Sequence, residues 1–137
     1  MFQPHGQSAH RDTFARDNLP PRDLWPDMDY GVLPALAAYP NQINVARDLL
    51  DAHVTAGFGD RPALHFNRAQ WRYAELQVRA NRIARVLVED MGLETGNRVL
   101  LRAPNNPMLV AAWFAVLKAG GICVTTMPML RPGELTP

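Results

Sequence analysis

A strand, a helix and a second strand follow one another in the C-terminal part of the sequence. A short apolar run at residues 99–101 precedes Asn106 and Pro107, which are favourable residues for the N-cap and the first position of a helix. Residues 108–119 are apolar on nearly every face and end at two glycines, and residues 122–125 form a second short apolar run. This order predicts a βαβ unit with parallel strands and a right-handed crossover, and therefore an α/β fold.

The predicted unit also indicates what surrounds it. Its apolar helix is too short to cross a bilayer, which takes about 20 residues, so we expect a helix covered on two sides and no membrane partner. Two parallel strands leave sheet edges that a doubly wound protein covers with further βα units. Residues 130–135 resemble the start of another helix. We therefore expect a partial doubly wound sheet that continues into a longer parent chain.

Two further helices are predicted before this unit. Asn44 is a favourable N-cap for a helix over residues 45–56, which should end at Gly57. A longer helix follows, with one apolar stripe and one charged face. The stripe consists of Leu76, Ala80, Ile83, Ala84, Leu87 and Met91, and the charged face of Glu75, Arg79, Arg82, Arg85 and Glu89. We expect the stripe to be buried, Arg79 and Arg82 to be exposed, and Glu75–Arg79 and Arg85–Glu89 ion pairs on the outer face.

A short hairpin and an irregular leader complete the predicted organisation. Residues 63–66 and 71–73 read as its two strands, separated by residues 67–70. The first forty residues hold six of the 12 prolines and many apolar side chains without helical or strand periodicity. We therefore divide the chain into a Pro-rich leader at residues 1–43, lying on the surface of a larger body, and an incomplete α/β subdomain at residues 44–137.

Composition excludes several functions. With 14 Lys+Arg, 13 Asp+Glu, a net charge of +1 and no basic block, the chain is not expected to bind nucleic acid. Its charged N-terminus lacks the apolar stretch of a secretory signal, which predicts a cytoplasmic protein. The single cysteine, Cys123, lies in an apolar run and is interpreted as a small core residue rather than a nucleophile.

Few residues suggest chemistry on their own. Gly57 and Gly59 lack the third glycine of a phosphate-binding loop. The loop at residues 103–107 leaves the carboxyl end of a predicted strand, where open α/β sheets place ligands, but turn and cap roles explain its asparagines more simply. The only lysine, Lys118, is expected to complement a helix dipole. The histidines have no metal-ligand spacing, so no metal site is predicted. They are His5, His10, His53 and His65.

Five sequence segments, taken in order, resemble the opening of acyl-adenylate-forming enzymes. They are GDRPAL (59–64), WRYAEL (71–76), ANRIA (80–84), LETGNRV (93–99) and residues 106–135. This family includes acyl-CoA synthetases, luciferases and peptide-synthetase adenylation domains. The leader segment DTFARDNLPP (12–21), with Trp25-Pro26 and residues 44–57, looks most like the aryl-CoA ligases, above all 2-aminobenzoate-CoA ligase. Arg72 departs from the family pattern, in which a Thr usually caps the long helix, so that helix start should fray or shift.

The resemblance implies that the parent enzyme activates a carboxylic acid with ATP and Mg²⁺ to an acyl-adenylate and then transfers the acyl group to coenzyme A. The family's Ser/Thr/Gly-rich phosphate loop, its ribose-binding acid and its catalytic lysine have no counterpart in these residues. We therefore expect no catalytic, substrate-binding or cofactor-holding function from the chain alone. One exception is Arg131, which the resemblance places near the phosphates of coenzyme A. A surface arginine beside a helix start is the competing interpretation.

Two alternatives remain open at this point. The chain could be a complete α/β binding or interaction module that docks through its apolar leader. It could also be a nucleotide-binding α/β regulator, which the missing glycine loop disfavours. The coding sequence after Pro137 distinguishes the enzyme from the module, because the enzyme requires a Ser/Thr/Gly-rich loop followed by lysine.

Overall fold

The computed structural model of the chain describes residues 8–27, 29–40 and 42–134. The strands are β1 (Pro62–Phe66), β2 (Ala69–Arg72), β3 (Arg98–Arg102) and β4 (Ile122–Thr126), and the α-helices are α1 (Phe14–Asp17), α2 (Pro34–Ala37), α3 (Tyr73–Arg85) and α4 (Pro107–Lys118). Wider π-helical turns lie at Arg47–Asp51, Val54–Phe58 and Val86–Asp90, and 3-10 turns at Arg22–Leu24, Tyr30–Val32 and Pro132–Glu134. The mixed α/β class predicted from the sequence is confirmed.

The βαβ unit has the predicted parallel pairing. Strands β3 and β4 are hydrogen-bonded in parallel, with Leu100 opposite Val124. The side chain of Asn106 caps α4 by accepting a hydrogen bond from the backbone N–H of Leu109 at 2.9 Å. At the other end of α4, Gly120 has φ +78°, a backbone conformation that glycine adopts without steric cost.

Helices α3 and α4 pack against each other and form the core. One cluster of buried residues consists of Leu50, Leu76, Ala80 and Ala111, and a second of Ala84, Leu87, Ala115 and Val116. Alanines on both helices let their axes approach closely, and the larger side chains fill the space on either side. The core thus lies on one face of the β3–β4 sheet, while Leu100 on the other face is 54% exposed.

The apolar stripe of α3 is confirmed over most of its length and wrong at its end. Leu76, Ala80, Ala84 and Leu87 are at most 9% exposed, and Ile83 is half-buried. Met91 is 70% exposed because the helix widens over Val86–Asp90. There the N–H of Met91 donates to the carbonyl of Val86, five residues back, which turns the side chain of Met91 away from the stripe.

The charged face of α3 differs from expectation at Arg79. Arg85 and Glu89 form the predicted ion pair at 3.0 Å, and Arg82 is exposed. Arg79, however, is half-buried and lies over the ring of Trp71, with its guanidinium carbon 4.2 Å from the ring centroid. A cation over an indole face is attracted by the ring quadrupole, which competes with the predicted pairing to Glu75.

The start of α3 is firmer than the sequence suggests. Glu75 accepts a hydrogen bond from the backbone N–H of Arg72 at 2.9 Å, while the first two helical N–H groups donate to the carbonyls of Arg61 and Gly59. The helix therefore begins at Tyr73 without a Thr cap. The expected shift or fraying at Arg72 does not occur.

The hairpin is confirmed with a tighter turn than predicted. Strands β1 and β2 are antiparallel, and Phe66 pairs with Ala69 across the two residues Asn67 and Arg68. Asn67 has φ +54°, the left-handed conformation that asparagine tolerates in two-residue hairpin turns. Residues 69 and 70, assigned to the loop from the sequence, therefore belong to β2.

The leader contains only short helical turns within its described residues, as its prolines predicted. Residues 9–14, which we call the strap, lie along the turn that precedes β3: the N–H groups of Arg11 and Asp12 both donate to the carbonyl of Thr95 at 3.0 Å. Asn44 then caps the next helical segment by accepting from the N–H of Arg47 at 3.1 Å, as predicted. The helix start predicted at residues 130–135 is a 3-10 turn at Pro132–Glu134, and Leu135 lies outside the described residues.

Candidate functional site

The carboxyl ends of β3 and β4 lie side by side, because the strands are parallel. This edge is where open α/β sheets bind ligands, since the loops that leave the strands diverge there. Arg102, the last residue of β3, pairs with Thr126, the last residue of β4. The loop after β3 leads into α4, whose first N–H groups and positive dipole end face the same edge.

Arg102 organises the loop that follows β4. Its Nη2 donates to the backbone carbonyls of Pro128 and Leu130, at 2.8 and 2.6 Å. A guanidinium suits this arrangement because it presents several donors in a fixed plane. Sequence reasoning missed Arg102, because its partners are backbone carbonyls that lie 26 and 28 positions further along the chain.

Arg131 stands at the far end of this loop and is exposed. Its backbone N–H donates to the carboxylate of Glu134 at 2.6 Å, and the N–H of Glu134 donates back to the carbonyl of Arg131 at 2.9 Å. These two bonds form the 3-10 turn. The side chain of Arg131 is thus placed in solvent beside the carboxyl edge of the sheet, on a backbone fixed by its own turn.

Thr126 contributes a hydroxyl to the same edge. Within the described parts of the chain, its Oγ1 is a buried side-chain oxygen with no hydrogen-bond partner. Most buried polar groups in folded proteins have such a partner. At the same edge, the side chain of Asn106 caps α4, as the simpler interpretation of the loop at residues 103–107 predicted. A cavity of about 240 Å³ lies between Asn105, the start of α4 and the end of β1.

A larger cavity of about 690 Å³ opens at the opposite, amino end of the strands. It is lined mainly by apolar side chains and includes Cys123. Burial raises the pKa of the Cys123 thiol, and its Sγ lies 3.7 Å from the carbonyl oxygen of Trp113, to which it donates. A raised pKa disfavours the reactive thiolate, which agrees with the packing role predicted for Cys123.

Lys118 has specific partners that the sequence did not reveal. Its Nζ donates to Asp51 at 2.6 Å and to Asn81 at 2.5 Å, so one ammonium joins α4, the helical segment after Asn44 and α3. Gln77 donates to the same oxygen of Asp51 at 2.8 Å. The role of Lys118 is therefore a structural contact between helices, beyond the dipole effect expected from its position.

The three described histidines lie in different segments of the chain. His10, His53 and His65 are all exposed, and the ring of His53 stacks on Tyr73 with ring centroids 5.2 Å apart. His5 lies outside the described residues. In the described part of the chain, no three His, Cys, Asp or Glu residues are grouped closely enough to hold a metal ion. Nor does this part contain a helix with the length and apolar character needed to cross a membrane.

Comparison with known proteins gives a consistent assignment. Over 92 residues the chain is 40% identical to the salicyl-AMP ligase / salicyl-S-ArCP synthetase of Mycobacterium tuberculosis, an alignment covering 67% of this chain and 15% of that protein. It is 37% identical over 84 residues to an acetyl-coenzyme A synthetase of Streptomyces avermitilis, covering 58% of this chain and 13% of the synthetase. The chain thus spans less than a fifth of the length of these relatives.

Solved structures agree on the fold. The anthranilate CoA ligase AuaEII in complex with anthranoyl-AMP superimposes with a TM-score of 0.65 at 23% identity, covering 72% of this chain and 18% of the ligase. ATP-bound MatB from Rhodopseudomonas palustris gives a TM-score of 0.61 at 28% identity, and the superposition covers 67% of this chain and 18% of MatB. In sequence, residues 51–136 match the family described as AMP-binding enzyme. Because this match covers more than half of the chain, the protein belongs to the AMP-binding enzyme family.

Proposed function

We propose that this chain is the N-terminal part of a cytoplasmic, ATP-dependent aryl-CoA ligase that activates 2-aminobenzoate or benzoate. In the proposed reaction the carboxylate attacks the α-phosphorus of ATP, and pyrophosphate leaves with formation of an acyl-adenylate. The thiolate of coenzyme A then attacks the acyl carbonyl, and AMP leaves. ATP, Mg²⁺, coenzyme A and the aryl acid are the partners of the parent enzyme.

The family match over residues 51–136 carries this proposal. Support for an aryl acid comes from the 40% identity to a salicyl-AMP ligase and the 32% identity over 81 residues to the 2,3-dihydroxybenzoate-AMP ligase of Bacillus subtilis. Acetyl-coenzyme A synthetase and a long-chain-fatty-acid–CoA ligase are similarly close, at 37% and 33%. The identity of the acid is therefore tested with aryl and aliphatic substrates side by side.

The residues of this chain serve that reaction as a scaffold. The α3–α4 core supports the β3–β4 sheet from one side. At the carboxyl edge of that sheet lie the α4 N-terminus, the Thr126 hydroxyl and the loop held by Arg102. Stabilising an adenylyl transition state takes several aligned donors, a cation and a metal. In the proposed enzyme, residues beyond these supply that machinery.

The alternative of a stand-alone interaction module has weaker support. Part of the leader that such a module would use for docking is bound to the chain itself, because the strap contacts the turn before β3. Other leader side chains are open, including Leu24 and Val32 at 70% and 73% exposure. These side chains fit equally well against further parts of a large catalytic domain, which the family match favours.

The decisive experiment uses the product of the complete reading frame beside the 137-residue chain. We expect the complete product to release pyrophosphate with 2-aminobenzoate or benzoate, and calorimetric titration of the 137-residue chain with ATP and Mg²⁺ to give no measurable heat of binding. Salicylate, acetate and a long-chain fatty acid serve as competing substrates. Turnover of aliphatic acids alone contradicts the aryl assignment. Micromolar ATP binding by the 137-residue chain contradicts the scaffold role, and a reading frame that stops at Pro137 supports the module.

Arg131 is proposed to contact a phosphate of coenzyme A in the complete enzyme. A hydrogen bond to a charged group is worth about 1.5–3 kcal/mol, so Arg131→Ala should raise the KM for coenzyme A roughly tenfold or more. Pyrophosphate exchange, which precedes coenzyme A binding, should be unchanged. Arg68→Ala, in the exposed hairpin turn, is the matched control. Unaltered coenzyme A kinetics in Arg131→Ala would leave this residue as an ordinary surface arginine.

A further inference from the structure

The strap contacts the rest of the chain through a dense set of polar bonds at Thr95. The carbonyl of Thr95 accepts from the N–H groups of Arg11 and Asp12, each at 3.0 Å. Its hydroxyl accepts from the N–H of Arg11 at 3.1 Å and donates to the carbonyl of Ala9 at 2.9 Å. Both polar groups of a single threonine therefore fix the backbone of three strap residues, Ala9, Arg11 and Asp12, to the turn before β3.

Asp12 is the centre of a second set of contacts. Its carboxylate accepts from the side chain of Asn97 at 2.8 Å, from Arg98, and from the N–H of Phe14 at 3.0 Å. Arg98 also lies over the ring of Phe14, with its guanidinium carbon 4.6 Å from the ring centroid. One side chain of the strap thus receives three donors, two of which come from the turn and the first residue of β3.

The strap lies directly on Gly96. This glycine has φ +92°, and a Cβ built on it would be 2.1 Å from the carbonyl oxygen of Asp12. No other residue type fits at this position while the strap is bound. The glycine therefore allows a backbone-to-backbone contact that a side chain would prevent.

The bound strap forms one wall of the 690 Å³ cavity. Ala9 and His10 line the cavity from the strap, and Trp113 and Cys123 line it from α4 and β4. The residues of the strap are exposed or half-buried, so polar surface contacts rather than core burial hold it in place. Segments held in this way open at a lower free energy than the core does.

We infer that the strap is a releasable cover whose Asp12 contacts keep one side of this cavity closed. When the Asp12 carboxylate loses Asn97 and Arg98, the strap separates from Thr95 and Gly96, and the cavity opens toward solvent along residues 9–14. Cys123 then becomes more accessible while α3 and α4 remain packed. This device belongs to the chain itself and does not depend on the reaction of the parent enzyme.

Cys123 makes the test direct because it is the only cysteine of the 137 residues. The rate of its reaction with N-ethylmaleimide is measured in the wild-type chain and in two variants. Asp12→Ala removes the carboxylate that contacts Asn97 and Arg98 and leaves the backbone bonds to Thr95 as the remaining hold on the strap. The reaction rate should rise about fivefold or more, because opening exposes the thiol. Asp17→Ala is the matched control: it removes a leader carboxylate that contacts Thr13 and Arg16 but not the turn, and its rate should equal that of wild type.

Amide hydrogen exchange separates strap release from unfolding. In Asp12→Ala the amides of residues 11 and 12, which donate to the carbonyl of Thr95 in the wild type, should exchange faster, while those of Leu76 and Ala80 in α3 keep their protection. The inference is overturned if the thiol rate of Asp12→Ala matches that of Asp17→Ala. It is equally overturned if the thiol rate rises only in step with lost protection at Leu76 and Ala80, because the change would then report global unfolding.

Discussion

Leu87 is 9% exposed and packs with Ala84, Ala115 and Val116 between α3, α4 and the sheet. Two of these neighbours, Ala84 and Ala115, have short side chains that are unable to move into the space that a shorter residue 87 would leave. Removing buried methyl groups costs the lost transfer free energy together with a term for the remaining cavity. Leu87 therefore carries a large share of the packing energy at this end of the helix pair.

Replacing Leu87 by Ala should lower the free energy of unfolding by about 2–5 kcal/mol. Met91 is the natural control, because it directly follows the same helical segment but is 70% exposed. Met91→Ala should change the free energy of unfolding by less than about 0.5 kcal/mol. Urea denaturation of both variants measures the difference. An equal loss of unfolding free energy in the two variants would contradict the burial of Leu87.

At the scale of elements, α3 is fixed at its start by groups from outside the helix. Arg61 and Gly59 supply carbonyls to its first N–H groups, and Glu75 accepts from the N–H of Arg72. A helix needs acceptors for its first four N–H groups, and here the hairpin provides part of them. The position of β1 therefore helps to define where α3 begins.

Glu75→Ala should destabilise the chain by about 1 kcal/mol, the usual effect of losing a capping interaction. Glu75→Gln should retain most of the stability, because its amide oxygen is also an acceptor. Glu89→Ala removes an exposed i,i+4 pair and should cost about 0.3–0.5 kcal/mol. Thermal unfolding of the three variants gives the comparison; a Glu75→Gln variant as unstable as Glu75→Ala would argue against the cap.

The elements that could be predicted from the sequence are those determined by residues close together in the chain. Asn106, the apolar run after it and the glycines at its end are close in the chain, and they correctly predicted α4 between two strands. The contacts of Lys118 with Asp51 and Asn81 join separate helices, and no spacing rule indicates them. The π-helical turn that displaces Met91 likewise depends on packing rather than on propensity.

The candidate site was less predictable than the fold. The loop after β3 could be located from the rule that ligands bind at the carboxyl ends of parallel strands. Arg102 was missed because its partners are backbone carbonyls, which carry no sequence signal. The choice of Arg131 came from family resemblance and remains a prediction.

At the scale of the whole molecule, two leader carboxylates link stability to pH. The Phe14 N–H, Asn97 and Arg98 hold the pKa of Asp12 below its ordinary value of 3.8, and the Thr13 hydroxyl and Arg16 do the same for Asp17. A lowered folded-state pKa means that the folded chain binds protons less readily than the unfolded chain. The stability that both carboxylates contribute is therefore fully present at pH values above their pKa in the unfolded chain. It is lost as the pH falls through their pKa in the folded chain.

We expect the thermal midpoint of wild type to fall as the pH is lowered from about 6 to about 2.5, and to fall less in Asp12→Asn, which has no carboxylate to protonate at that position. Differential scanning calorimetry at several pH values measures both curves. The two proteins should converge at the acidic end. Parallel curves over the whole range would show that Asp12 has the same pKa in the folded and unfolded chain.

The bonds of the strap span a greater distance along the chain than the other bonds described above. Asp12 contacts Asn97 and Arg98 across 85 and 86 positions, and Lys118 contacts Asp51 across 67. The hairpin, by contrast, closes through a two-residue turn, and β3 and β4 pair around a single helix. Because closing a long loop costs more chain entropy, we expect contacts between neighbouring elements to form first and the strap to join a body that has already folded. Interactions that form after the transition state affect the rate of unfolding rather than the rate of folding. The strap therefore contributes to how slowly the folded chain opens, and little to how quickly it forms.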